Sequence, residues 1–118
     1  MDLKTLQEPR FMASIIEANE LEIEKYQNWL GRCSKPLQSD CEKMIQRLTE
    51  ENERLARRSE AIQQAVKNTI TDKEVIEIIR LYLLGKGWSE IAMKVYNYSD
   101  YQVARKRCER AVAKIPFE

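Results

Sequence analysis

Residues 86–115 read KGWSEIAMKVYNYSDYQVARKRCERAVAKI, and the fold turns on how this stretch divides. Two patterns with helical spacing, Ser89–Val95 and Asp100–Ile115, flank Tyr96-Asn97-Tyr98-Ser99. In the first, Ile91, Ala92 and Val95 share a face. In the second, Ala104, Cys108, Ala111, Val112 and Ile115 do, which predicts a buried stripe on each. Ser99-Asp100-Tyr101-Gln102 is a capping box that opens the second helix, and Pro116 closes it. Upstream, Thr71-Asp72-Lys73-Glu74 is another box. It starts a helix carrying Val75, Ile78, Ile79, Tyr82 and Leu83, which Gly85 or Gly87 ends. Three helices of about 14, 8 and 16 residues joined by tight connections match a helix-turn-helix plan. The middle one is too short to persist alone, so packing between its neighbours must hold it.

Centring the buried arc of the last helix on Ala104, Cys108 and Val112 leaves Gln102, Lys106, Glu109, Arg110 and Ala113 outward. Arg105 and Arg107 lie on the flanks. Gln pairs bidentately with adenine, and Lys or Arg with guanine. Ser99 and the free N–H groups of the first turn suit a phosphate oxygen, as do Arg107 and Lys114. The plain alternative is a solvated basic face, with Trp88 as a core plug and Cys108 as a small buried side chain. Glu109, which repels phosphate, faces a gap or pairs with Arg105.

Outside this region the chain is also helical. Met12, Ile16, Asn19, Ile23, Tyr26 and Leu30 follow a 4-3-4-3-4 spacing from a start near Glu8 or Pro9, widened by Ile15 and Trp29, and Gly31 stops the helix. After the CSKPLQ linker, Ser39-Asp40-Cys41-Glu42 reads as a capping box for a longer helix reaching about Asn68. Along it Cys41, Ile45, Leu48, Asn52, Leu55, Ser59, Ile62, Val66 and Thr69 form a heptad seam. The two helices fold back as an antiparallel hairpin, the longer pairs with a second copy, or both occur. In the paired reading Ile45, Leu48, Asn52, Leu55, Ile62 and Val66 are the oligomerisation residues. Asn52 is then a register selector, or otherwise a partly exposed polar residue.

Composition narrows the chemistry. The 118 residues are 43% hydrophobic and 33% charged with three Gly and three Pro, which favours a helix-rich cytoplasmic protein. No apolar run is long enough to span a bilayer. Three cysteines without CxxC spacing and no histidine argue against a metal site, a disulfide framework and histidine-based catalysis. No nucleophile–base arrangement or phosphate-cradling glycine loop is present, so neither an enzyme nor a cofactor or small-molecule substrate is expected. The net charge of +1 divides unevenly: residues 1–70 hold 11 Lys/Arg and 12 Asp/Glu, residues 71–118 hold nine and seven. From Ser99 to Ile115 five basic residues face two acidic ones, a local stripe able to meet phosphate.

The string Leu81-Tyr82-Leu83-Leu84-Gly85-Lys86-Gly87-Trp88-Ser89-Glu90-Ile91-Ala92 resembles the "yl.G.sw.eIA" signature of the fourth region of bacterial sigma factors. Tyr98-Ser99, Gln102-Val103, Arg110-Ala111 and Ile115 are similar to that family's recognition helix. With a helical hairpin in front, the chain is similar to phage-encoded sigma-like regulators of the RinA/ArpU type. The resemblance implies that Ser99, Gln102, Val103, Lys106, Arg107 and Arg110 approach DNA while Trp88, Ile91 and Ala92 are structural. It also implies control of phage or prophage transcription.

The expectation is therefore an all-α chain: a long N-terminal antiparallel helical hairpin over 1–70 and a three-helix helix-turn-helix domain over 71–118. The expected role is a transcription regulator binding double-stranded DNA, as a homodimer or beside RNA polymerase, with Ser99, Gln102, Val103, Arg105, Lys106, Arg107, Arg110 and Lys114 at the DNA. The alternatives are a module docking on RNA polymerase or a phage protein through the hairpin, and a small-terminase-like packaging protein. The last class usually places its DNA-binding domain first, the reverse of the order here.

Overall fold

The computed structural model describes residues 1–97 and 100–117. These form five helices and no strand: α1 (Leu3–Leu30), α2 (Lys35–Thr69), α3 (Lys73–Leu83), α4 (Trp88–Tyr96) and α5 (Tyr101–Ala113). The all-α class and the packed N-terminal helix pair agree with the sequence reading. Among the described residues no helix is long and apolar enough to cross a membrane.

The chain divides into two compact units, one of Pro9–Glu60 and one of Met1–Glu8 with Ala61–Glu118. The division cuts both long helices instead of falling at residue 70. The reason is burial. Leu6 of α1 and Ile70, just past α2, belong to the same core as α3, α4 and α5, with Leu3, Ala65 and Val66 packed against it.

In the unit Pro9–Glu60, α1 and α2 run antiparallel and pack along their predicted stripes. Asn19 Nδ2 donates to Asn52 Oδ1 at 2.8 Å. Counting outward from that pair sets Ile16 opposite Leu55, Ile23 opposite Leu48, Tyr26 opposite Ile45 and Leu30 opposite Cys41. Met12, Cys41 and Leu48 are buried, and the remaining stripe residues are half-buried. Asn52 is thus a register selector within one chain: sliding either helix would separate the amides as well as the stripes. Asn52→Ala should cost about 1 kcal/mol in a urea melt, since it strands the half-buried Asn19 amide. Replacing both asparagines by Leu should raise the melting temperature, because a polar pair on a seam trades stability for register.

The seam residues expected at an oligomer interface are therefore covered within the chain. Leu48 and Ile62 are buried, and Ile45, Asn52, Leu55 and Val66 are half-buried. Within Pro9–Glu60 the α1 stripe matches the α2 seam in spacing and packs against it. Ile15 and Trp29 do not join the seam. They stand 43% and 47% exposed, because a two-helix contact is narrower than the apolar arc of α1. Trp29 meets Tyr26 edge-on at 5.8 Å, with Lys25 Nζ 5.1 Å from its ring centre.

Two helix starts differ from the sequence reading. The α1 helix begins at Leu3, where Asp2 Oδ1 accepts from the Thr5 N–H at 2.7 Å, and Pro9 lies inside it. The anchoring of Leu3 and Leu6 outweighs the hydrogen bond that Pro9 cannot donate. The α2 helix begins at Lys35, so Ser39–Glu42 is helix interior and not a cap. Pro36 sits in the first turn, where no N–H is required.

The helices α3 and α5 start one residue later than their box readings suggest, while α4 starts at Trp88, one residue before the Ser89–Val95 pattern. Asp72, not Thr71, caps α3, accepting from the N–H groups of Glu74 (2.9 Å) and Val75 (3.4 Å). Gly85 ends α3 with φ 87°: its N–H reaches Tyr82 O and that of Lys86 reaches Leu81 O, the paired bonds of a Schellman turn. Gly87 caps α4 without a side chain, and Asn97 closes it in the left-handed region at φ 61°. Asp100 caps α5 through the Gln102 N–H at 3.1 Å. Ser99, the expected cap, lies outside the described residues. The predicted inward face of α5 is confirmed, with Ala104, Cys108, Val112 and Ile115 fully or nearly fully buried. Trp88 stacks on Tyr82 at 4.8 Å, and Gln7 Nε2 donates to the Tyr82 hydroxyl.

Candidate nucleic-acid interface

The helix α5 leaves its polar arc open because its buried arc is narrow and small-sided. Two of the residues packed inward are alanines, and Cys108 is hardly larger. Burial pushes the Cys108 thiol up to about 12, which makes it a packing residue and not a nucleophile. Gln102, Val103, Arg105, Lys106, Arg110 and Lys114 are all exposed.

The five cations of α5 and its C-cap fall into two groups. Arg105 Nε donates to Glu109 Oε1 at 2.8 Å, one turn along the helix. Arg107 is held more firmly. Its guanidinium lies 2.9 Å from Asp72 Oδ2 and 2.8 Å from Glu74 Oε1, and it donates to the Tyr96 hydroxyl at 3.1 Å. These partners come from the N-terminus of α3 and the end of α4, so Arg107 ties three helices together. The Tyr96 hydroxyl and then Glu74 raise its affinity for its proton further. The Asp72 carboxyl titrates below its ordinary range, chiefly because the Glu74 and Val75 N–H groups stabilise the anion, with Arg107 adding to them.

Lys106, Arg110 and Lys114 have no ion-pair partner among the described residues. Spaced four apart, they form a ridge along one side of α5. The ridge borders a groove of about 640 Å³ whose other wall is the α2–α3 connection, Thr69 to Asp72, with Val75, Val103 and Ala111 as its apolar lining. Two threonines, three unpaired cations and an apolar floor can take a phosphate chain with its attached sugars.

The sequence-predicted residues thus separate. Gln102, Val103, Lys106, Arg110 and Lys114 share one exposed surface, Arg105 is engaged by Glu109, Arg107 is engaged by α3, and Ser99 lies outside the described residues. Sequence reasoning missed the far wall. Thr69, Thr71 and the carboxylate of Asp72 have no spacing relation to α5 that a helical period reveals. Among the described residues no group of three metal-ligating acidic or cysteine side chains comes together.

Comparison of the chain with protein-family models, with curated proteins and with solved structures finds no match.

Proposed function

We propose that the chain is a DNA-binding transcription regulator that lays α5 in the major groove, of the kind its resemblance to phage-encoded sigma-like proteins suggests. The observation that carries this reading is the ridge of Lys106, Arg110 and Lys114, exposed and without ion-pair partners among the described residues, beside an exposed Gln102 and Val103. In this reading Gln102 pairs with adenine and Val103 meets a thymine methyl. Lys106 and Arg110 reach guanine or phosphate, and Lys114 meets the backbone. The test is fluorescence anisotropy with labelled duplexes across a salt series. Lys106→Ala and Arg110→Ala should each weaken binding, and the variant that loses a phosphate contact should lose about one unit of salt slope. Unchanged affinity in both would refute the face assignment.

A second reading is favoured by the other unit. Phe11, Leu21, Trp29 and Leu37 are each about half exposed or more, and Tyr26, Trp29, Leu37 and Met44 line an apolar groove of about 420 Å³ near the hairpin bend. A surface of that kind suits a protein partner such as RNA polymerase or a phage protein. Trp29→Ala with Leu37→Ala should then abolish polymerase binding while leaving the duplex affinity intact.

A further inference from the structure

We infer that Asp72 and Glu74 act as an acidic brake on the basic face of α5, holding Arg107 back from nucleic-acid phosphates. The inference rests on the reading of α5 as a DNA-binding helix and names a regulation of that site.

Arg107 lines the same groove as Lys106, Arg110 and Lys114, so a backbone phosphate seated on the ridge would lie beside it. Its fork is occupied by two carboxylates from the first turn of α3, at 2.9 Å and 2.8 Å. One cation against two anions leaves a local charge of the wrong sign for phosphate. All three side chains remain more than a third exposed, and solvent-exposed ion pairs of this kind contribute little net free energy. A phosphate accepts the same planar fork as a carboxylate, so exchange of one anion for the other is close to balanced. Removing the carboxylates tips that balance toward the nucleic acid. Asp72 also caps α3, and Asn caps a helix as well as Asp does, so Asp72→Asn changes the charge and keeps the cap.

The experiment uses the full chain, a labelled mixed-sequence duplex and a potassium chloride series read by anisotropy. The Asp72→Asn, Glu74→Gln double variant should bind more tightly than the native chain, with a salt dependence steeper by about one unit as Arg107 adds a phosphate contact. Adding Arg107→Gln to that variant should return the slope to the native value. No gain in the double variant, while Lys106→Ala still weakens binding, overturns the brake and leaves the DNA reading standing. A gain that survives Arg107→Gln is a general field effect and overturns the role given to Arg107. Absence of DNA binding in the native chain and in every variant overturns the DNA reading and the brake with it. Should thermal melting show the double variant unfolded, Glu74→Gln alone poses the same question, since the Glu74 carboxylate has no part in the cap.

Discussion

Replacing Lys106, Arg110 and Lys114 together by Ala is expected to flatten the salt dependence of DNA binding by about 1.8 units, at roughly 0.9 for each of two phosphates, one met by Lys114 and one by Lys106 or Arg110. Between 50 and 200 mM salt the native chain would then lose roughly 12-fold more affinity than the triple variant. The expectation follows from the pairing of the cations and not from their number. Arg105 and Arg107 already face carboxylates, so phosphate contacts depend on them less than on the three cations with no such partner. Stability should hardly change, since exposed lysine and arginine side chains without partners contribute little to folding. Anisotropy measured beside thermal melting separates the two effects. A triple variant that melts like the native chain and binds with an unchanged salt slope would place the nucleic-acid surface elsewhere.

The second large effect is expected in the core. Ile91→Ala should destabilise the C-terminal unit by about 2–5 kcal/mol, through lost transfer free energy and the cavity left behind. In a unit of this size, that corresponds to a melting temperature lower by at least about 10 °C. Ile91 is fully buried in α4, a helix of nine residues that cannot stand without its neighbours. Its side chain and that of Ala92 lie in the core that also holds Ile78 of α3 and Ala104 of α5. The short helix therefore rests on few fully buried side chains, Ile91 and Ala92, and deleting the larger removes most of that buried surface. Ile91→Val should cost only about 1 kcal/mol, and Leu84→Ala, at a position 59% exposed, should stay within about 0.5 kcal/mol of the native chain. Circular dichroism melts of the three variants check the order.

Much of this is legible in the sequence. The 4-3-4-3-4 stripes predicted both long helices and the surfaces that meet, because a helix can bury only a narrow arc against one partner. Ala104, Cys108, Val112 and Ile115 were correctly placed inside for the same reason. Boundaries were less legible. Pro9 and Pro36 read as punctuation, yet both lie within helices, since the packing of Leu3 and Leu6 in one case and first-turn tolerance in the other overrode local preference. The capping boxes pointed to the right turns, but Asp72 and Asp100 took the capping role that the pattern assigned to Thr71 and Ser99.

Helical periodicity and the Gly85 stop thus determined, from sequence alone, an all-α chain with a helix pair followed by three shorter helices. Those are local properties, set by spacing within one element. Spacing alone left open whether the α2 seam faces α1, a second copy or both, and the Asn19–Asn52 bond shows pairing within the chain. The fate of Arg107 was decided by tertiary structure too. A guanidinium at Arg107 and a carboxylate at Asp72 lie 35 residues apart, and only the packing of α3 against α5 brings them to 2.9 Å. Charge counts along a helix do not register that bond, because an ion pair between helices depends on distance in space and not on spacing within one element.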